Sequence, residues 1–222
     1  MDTRLQAVAA FVRPGSRLAD VGTDHALLPA ALVAEGRCSH AIASDIRRGP
    51  VAAATRTVQE AGLTQEVEVR LGDGLSTVLP EEADDIVIAG MGGETIAAIL
   101  EAAPWVQHPR YRLVLQPMTR AERLRRYLFE TGFSIEQETV ITDGRHCYTV
   151  LCVSYTGQRF VPEEALCYVG KIPLPGGMAY LERVCRRLAK QLTASPDEEM
   201  SACLSRIEAY MNEEWQPWEG AQ

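Results

Sequence analysis

Three acidic residues occupy places where a nucleotide-binding chain would carry its contact groups: Asp24 just after Gly22, then Asp45, then Asp73 between Gly72 and Gly74. Gly22 follows a short apolar run and reads as a close-approach glycine in a strand-to-helix turn. A dinucleotide loop holds a pyrophosphate on the positive end of a helix, and a carboxylate at Asp24 repels that ligand. The same turn suits a cationic ligand, with Asp24 facing an ammonium or sulfonium group. Asp45 falls roughly 20 residues beyond the glycine turn, where an acid pairs with ribose hydroxyls. Asp73 is placed to accept from an adenine amino group while Gly72 and Gly74 admit the ring. Each acid taken alone is equally a helix cap or a solvated turn. Together they match S-adenosylmethionine (SAM), which has a sulfonium, an ammonium and a carboxylate but no phosphate.

Downstream, Ala89-Gly90-Met91-Gly92-Gly93 has enough glycine to admit a flat base or another backbone, or to make a tight turn. Gln116, before Pro117, offers a donor and an acceptor suited to a base edge or to loop backbone. His25 suits either a substrate hydrogen bond or the ordering of its own turn.

Alternation of elements positions these residues. Strand-like runs at 17–22, 40–45, 66–73, 84–90 and 111–117 alternate with helical segments at 25–36, 50–62, 93–103 and 119–132. That pattern predicts an α/β fold with a parallel sheet covered on both faces. Gly36 and Gly62 mark helix ends, and Thr119 with Glu122 has capping-box spacing. Runs at 133–142 and 146–155 are separated by a turn at Asp143-Gly144, too short for a parallel crossover, so an antiparallel hairpin closes the sheet edge. A Rossmann-like sheet ending in such a hairpin is the pattern of SAM-dependent methyltransferases, a likeness of fold that does not itself define function. Beyond Gly157 the period is helical. Leu181, Val184, Cys185, Leu188 and Leu192 share one face, as do Met200, Leu204, Ile207 and Met211. Ser195-Pro196-Asp197-Glu198 supplies an N-cap, a first-turn proline and a capping acid between two antiparallel helices. The domains expected are 1–157, binding SAM, and 158–222, helical.

With 222 residues, 46% of them hydrophobic, the chain can bury one full core and a small appendage. No window approaches the roughly 20 apolar residues of a membrane helix, and the first residues are too polar for a secretory signal, so a cytoplasmic location is expected. Six cysteines without a Cys-x-x-Cys pair suit buried thiols rather than disulfides or zinc ligands, and no metal is expected. A net charge of −8 excludes coating a nucleic acid through the overall field; a polyanion must meet a concentrated basic face. Arg120, Arg123, Arg125 and Arg126 form one such cluster, and Arg183, Arg186, Arg187 and Lys190 another; each reads either as phosphate contacts or as a solvated helix face.

The blocks Asp20-Val21-Gly22-Thr23-Asp24-His25-Ala26, Ser44-Asp45-Ile46, Gly72-Asp73-Gly74-Leu75, Ala89-Gly90-Met91-Gly92-Gly93 and Leu115-Gln116-Pro117, with 4–12 ahead of them, resemble the TrmK family of bacterial tRNA (adenine-N1)-methyltransferases. The likeness covers about residues 4–156. It implies a class I methyltransferase domain that binds SAM, a coiled-coil-like helical domain that helps hold tRNA, and methylation of adenosine at position 22. Carried onto matching positions, it implies a SAM site of Asp20, Gly22, Asp24, His25, Asp45, Ile46, Gly72, Asp73, Gly74, Ala89, Gly90 and Met91. Adenine N1 already carries a lone pair, so such an enzyme works mainly by positioning, and its target must be unpaired or extruded. Asp24, His25 and Gln116 are the catalytic candidates. Arg120, Arg123, Arg126, Arg186 and Arg187 are the candidates for tRNA contact. The alternatives are methylation of another RNA position or a small molecule, and a SAM-binding module without catalysis. A nicotinamide enzyme is disfavoured by Asp24.

Overall fold

The computed structural model describes residues 1–144, 146–214 and 216–217. Five strands run parallel: β1 (Arg17–Val21), β2 (His40–Asp45), β3 (Val67–Leu71), β4 (Asp85–Gly92) and β5 (Arg112–Thr119). The last two, β6 (Phe133–Asp143) and β7 (His146–Tyr155), form an antiparallel hairpin, and β7 pairs antiparallel with β5. The sheet order is β3-β2-β1-β4-β5-β7-β6. Its order reverses between β1 and β4, and the crevice outside the carboxyl ends of those strands is where open α/β sheets bind ligands.

Side-chain alternation divides the core between the two faces of the sheet. Ile86, Ile88, Leu113 and Leu115 point to one face, and Val87 and Val114 to the other. The second face is covered by α1 (Thr3–Phe11), α2 (Leu27–Ala34) and α3 (Arg48–Glu60), through Val8, Leu28, Leu32, Ala54 and Val58. The first face carries α4 (Gly93–Glu101) and α5 (Ala121–Thr131), through Ile96, Leu100, Leu124 and Leu128. The same apolar cluster continues through Ala165, Leu181 and Ile207 into α6 (Glu164–Val169), α7 (Met178–Ala194) and α8 (Glu198–Met211). A buried ion pair fastens this junction. Arg125 Nη2 donates to Glu138 Oε1 at 2.6 Å and Arg125 Nη1 to the Cys167 carbonyl at 2.7 Å, while Glu138 Oε2 accepts from Lys171 N at 3.0 Å.

Most expected elements are present, and α2 and α3 end just before Gly36 and Gly62. All six cysteines are free thiols, four of them buried. Five local expectations are corrected. Thr119 does not cap α5: it belongs to β5, where it pairs with Gly92, and Arg120 makes the corner at φ 56° with no side-chain cap. Ser195 does not begin α8 either; Asp197 is its cap and accepts from Met200 N at 2.8 Å. His25 lies ahead of α2, because Ala26 at φ 53° breaks the helical path. Asp143 pairs with His146, so it belongs to β6 and not to the turn, of which Gly144 is described and position 145 lies outside the described residues. Arg125 leaves the basic cluster, since its side chain is fully buried against Glu138. Helix α1 is an element that periodicity did not announce; Asp2 caps it by accepting from Leu5 N at 2.7 Å.

Candidate active site

A cleft of about 570 Å3 opens where β1, β4 and β5 end beneath α1, with Asp20, Gly22, Asp24, His25, Gly90 and Met118 among its walls. The turn after β1 is pinned from beneath: Gly22 N and Thr23 N both donate to the Ser44 carbonyl, at 2.8 and 2.9 Å. Gly22 has φ 79°, and a Cβ there would collide with the Met91 methyl, so position 22 needs glycine for conformation and for space. Ala26 is held in the left-handed region by its N–H, which donates to Thr23 Oγ1 at 3.0 Å. This places Asp24 and His25 at the rim. Their side chains are 76% and 53% exposed and lie 3.5 Å apart.

The deeper acid is Asp20, only 7% exposed. Burial pushes its pKa up to about 6, against smaller downward pulls from the Thr23 hydroxyl and the Arg4 charge. Above that pH it is a poorly hydrated carboxylate facing the cleft.

Gly90 is the extra residue of a β-bulge, because Ala89 pairs with Gln116 and Met91 with Pro117. Gln116 lies beneath it, fully buried. Its Oε1 accepts from Gly90 N at 3.1 Å and from Arg4 Nη1 at 3.0 Å, and its Nε2 donates to the Pro117 carbonyl at 3.0 Å. The amide is therefore engaged with loop backbone and with Arg4. Arg4, like Asp2 and Arg47 on the same walls, is a cleft residue that the sequence did not announce. It brings a guanidinium into the cleft opposite Asp20, and its only sequence signal is an arginine in an undistinguished N-terminal helix.

The remaining predicted positions gather beside the cleft at the ends of β2 and β3. Asp45 is 5% exposed; its Oδ1 accepts from Arg47 N at 2.7 Å, and its Oδ2 has no protein partner among the described residues. Ile46 is 61% exposed, an apolar surface beside a polar pocket. Gly72 N donates to the Asp45 carbonyl at 3.0 Å, tying that loop to Asp73, which is exposed, and to Gly74. Met91 covers Gly22. Of the expected basic residues, Arg120, Arg123 and Arg187 are well exposed, with Glu94 3.8 Å from Arg123 and Glu122 3.7 Å from Arg187. Arg126 is paired with Glu164 and Glu130, and Arg186 Nε donates to the Glu182 carbonyl at 3.2 Å.

An open sheet of this order, with a glycine turn after β1, acids at successive strand ends and a terminal hairpin, defines a Rossmann-like methyltransferase. Residues 1–151 accordingly match the family described as methyltransferase domain. A tRNA (adenine(22)-N(1))-methyltransferase of Bacillus subtilis (strain 168) is 41% identical over 159 residues, 72% of this chain and 66% of that protein. The crystal structure of the B. subtilis m1A22 tRNA methyltransferase TrmK is 32% identical, covers 96% of each chain and has a TM-score of 0.73. Streptococcus pneumoniae Sp1610, solved in complex with S-adenosyl-L-methionine, is 30% identical over 95% of this chain and 99% of that one, with a TM-score of 0.84. The chain belongs to the TrmK family of tRNA methyltransferases. Its aligned segment spans just under two thirds of the curated B. subtilis relative, whereas the structural match extends over the helical tail.

Proposed function

We propose that this chain transfers the methyl group of SAM to N1 of an unpaired adenosine in tRNA, the adenosine at position 22 named for its B. subtilis relative. The observation that carries the reading is the pairing of one buried acid with one cation in a single cleft. Asp20 meets the ammonium of the amino-acid end and Arg4 its carboxylate, a zwitterion clamp that a pyrophosphate does not match. The unpartnered Asp45 oxygen takes ribose hydroxyls, Ile46 covers one face of the adenine and Asp73 accepts from its amino group. Gly72 and Gly74 line the adenine's approach, and Ala89, Gly90 and Met91 bound the clamp from the β4 side.

When bound, SAM supplies an electrophilic methyl on a sulfonium. This chain's residues then act by placement. The bulge at Gly90, locked by Gln116, sets the floor against which the target base lies, and Asp24 and His25 close the rim. Because N1 attacks with its own lone pair, no base is required. The methylated ring becomes cationic, which favours the carboxylate of Asp24 over a cation at the rim. Gln116 is assigned to positioning, since its donors and acceptors already hold the loop.

Arg120, Arg123 and Arg187 offer the tRNA phosphates their exposed guanidiniums, with Arg126 and Arg186 at the margins. No helix among the described residues is long and apolar enough to cross a membrane, and the reading places the enzyme with tRNA in the cytoplasm. The test is direct. Labelled SAM and unmodified tRNA are incubated with the protein, and the product nucleoside is identified and mapped. The expected product is 1-methyladenosine at position 22; absence of any methyladenosine on tRNA sinks the proposal.

A further inference from the structure

A second cavity, of about 210 Å3, lies between the end of β5, the start of β7 and the first half of α7. It adjoins the donor cleft, because Met118 lines both. Two phenol rings, Tyr148 and Tyr180, face it together with three guanidiniums, Arg120, Arg183 and Arg187, against a single carboxylate, Glu122. That carboxylate is nearly buried and stands 3.9 Å from Arg120 and 3.7 Å from Arg187, so it holds two of the cations at the cavity wall and leaves the wall net positive. Thr149 adds an independent sign of a missing partner. It is 1% exposed, it lines the cavity, and its Oγ1 has no hydrogen-bond partner among the described residues. Buried hydroxyls are almost always satisfied, and an orphan at a cavity wall marks a place where a polar ligand atom belongs.

Aromatic rings beside arginines form the surface on which single-stranded nucleotides are held, the rings stacking bases and the guanidiniums meeting phosphates. The geometry points to a second nucleotide subsite: this cavity takes the nucleotide adjacent to the target adenosine. Its base lies against Tyr148 and Tyr180, its phosphate on Arg120 and Arg187, and the Thr149 hydroxyl bonds a base or sugar atom. An extruded base needs its neighbour immobilised if N1 is to stay in line with the methyl, and the shared Met118 wall puts that neighbour one step away. This inference rests on the tRNA methyltransferase reading and specifies how the helical tail takes part in it: α7 supplies Tyr180 and Arg187 to the subsite.

The experiment uses the full chain and an unmodified tRNA transcript that carries a photoreactive thio-nucleoside next to the target adenosine. After irradiation, adducts are mapped by mass spectrometry, and methylation of the same transcript is measured in parallel. Adducts are expected on Tyr148 or Tyr180. In the near-isosteric Thr149→Val variant, the KM for tRNA should rise about fivefold while SAM affinity and the melting temperature are not reduced. Adducts confined to other segments of an enzyme that still methylates the transcript, or an unchanged tRNA KM in Thr149→Val, would overturn the subsite and leave the methyltransferase reading intact. Failure to methylate any tRNA would overturn both.

Discussion

Replacing Asp20 by asparagine should stabilise the ligand-free protein and weaken SAM binding, with opposite dependences on pH. The carboxyl is buried, and its folded pKa of about 6 stands above the ordinary aspartate value of 3.8. Because the native state then holds the proton more tightly than the unfolded chain, the contribution to stability is most favourable below pH 4 and is lost as pH rises through 6. A shift of about two units corresponds to about 3 kcal/mol against the ionised wild type at pH 7.5. Asparagine cannot ionise, so the variant should melt at a higher temperature than wild type at pH 7.5, and the difference should vanish near pH 4. Ligand binding runs the other way. A SAM ammonium requires the carboxylate, so wild-type affinity should rise about tenfold between pH 5 and 7 and level off near pH 7, the deficit at pH 5 being about 1.4 kcal/mol. Free α-amino and α-carboxyl groups titrate near 8 and 3.5, so the ligand itself contributes little slope in that window. Asp20→Asn should bind on the order of tenfold to a hundredfold more weakly at pH 7 and show no slope. Imidazoles titrate in this range as well, so His25→Gln is the control and should keep the slope. Titration calorimetry from pH 5 to 7.5, paired with thermal melts, reads both effects. A flat wild-type binding profile, or a variant that melts and binds as wild type does, would refute the argument.

Two further outcomes follow from the same geometry. Arg125→Leu leaves the Glu138 carboxylate buried without its guanidinium and should cost about 3–5 kcal/mol in urea unfolding, while the double variant Arg125→Leu, Glu138→Leu should recover much of that loss. Asp45→Ala should weaken SAM by roughly tenfold, as expected for one lost hydrogen bond to a charged group, with a cooperative melt retained; unchanged affinity in an equilibrium binding assay would remove Asp45 from the site.

The layered fold was legible because β4 and β5 open on apolar runs buried on both faces, and because every strand up to Gly132 except β3 is followed by a helix; between β3 and β4 there is only a short turn at 80–82. The errors lie where a tertiary contact overrides a local signal. Thr119 and Glu122 have the right spacing for a cap, but pairing of Thr119 with Gly92 extends β5 through it and forces the corner onto Arg120. Arg4 was illegible for a related reason: its partner Gln116 is 112 residues away, and nothing local distinguishes that arginine from a solvated one. Asp20 carried a signal that went unused. An acid inside a fully buried parallel strand has no structural excuse, and the structure places it deeper in the cleft than Asp24, on which the electrostatic reading of the turn was built.

The charge of the cleft argues for the direction of specificity more firmly than any one residue does. Its walls hold three carboxylates, Asp2, Asp20 and Asp24, and two guanidiniums, Arg4 and Arg47, so with His25 neutral it is net negative by one. A pyrophosphate adds two negative charges to that wall. SAM, with sulfonium and ammonium against one carboxylate, brings a net positive charge and can meet Asp20 and Arg4 at the same time. Methyl transfer moves the positive charge from sulfur to the adenine ring and does not create one, so the enclosed charge is the same before and after the step. What the field of the cleft can add on the proposed reading is limited to the displacement of that charge toward the Asp24 rim, and most of the burden of rate falls on alignment. The proposed chemistry accords with the build of the cleft, in which the turn at Gly22 is pinned and the bulge at Gly90 is locked by Gln116, while the exposed acid and imidazole stand at the rim.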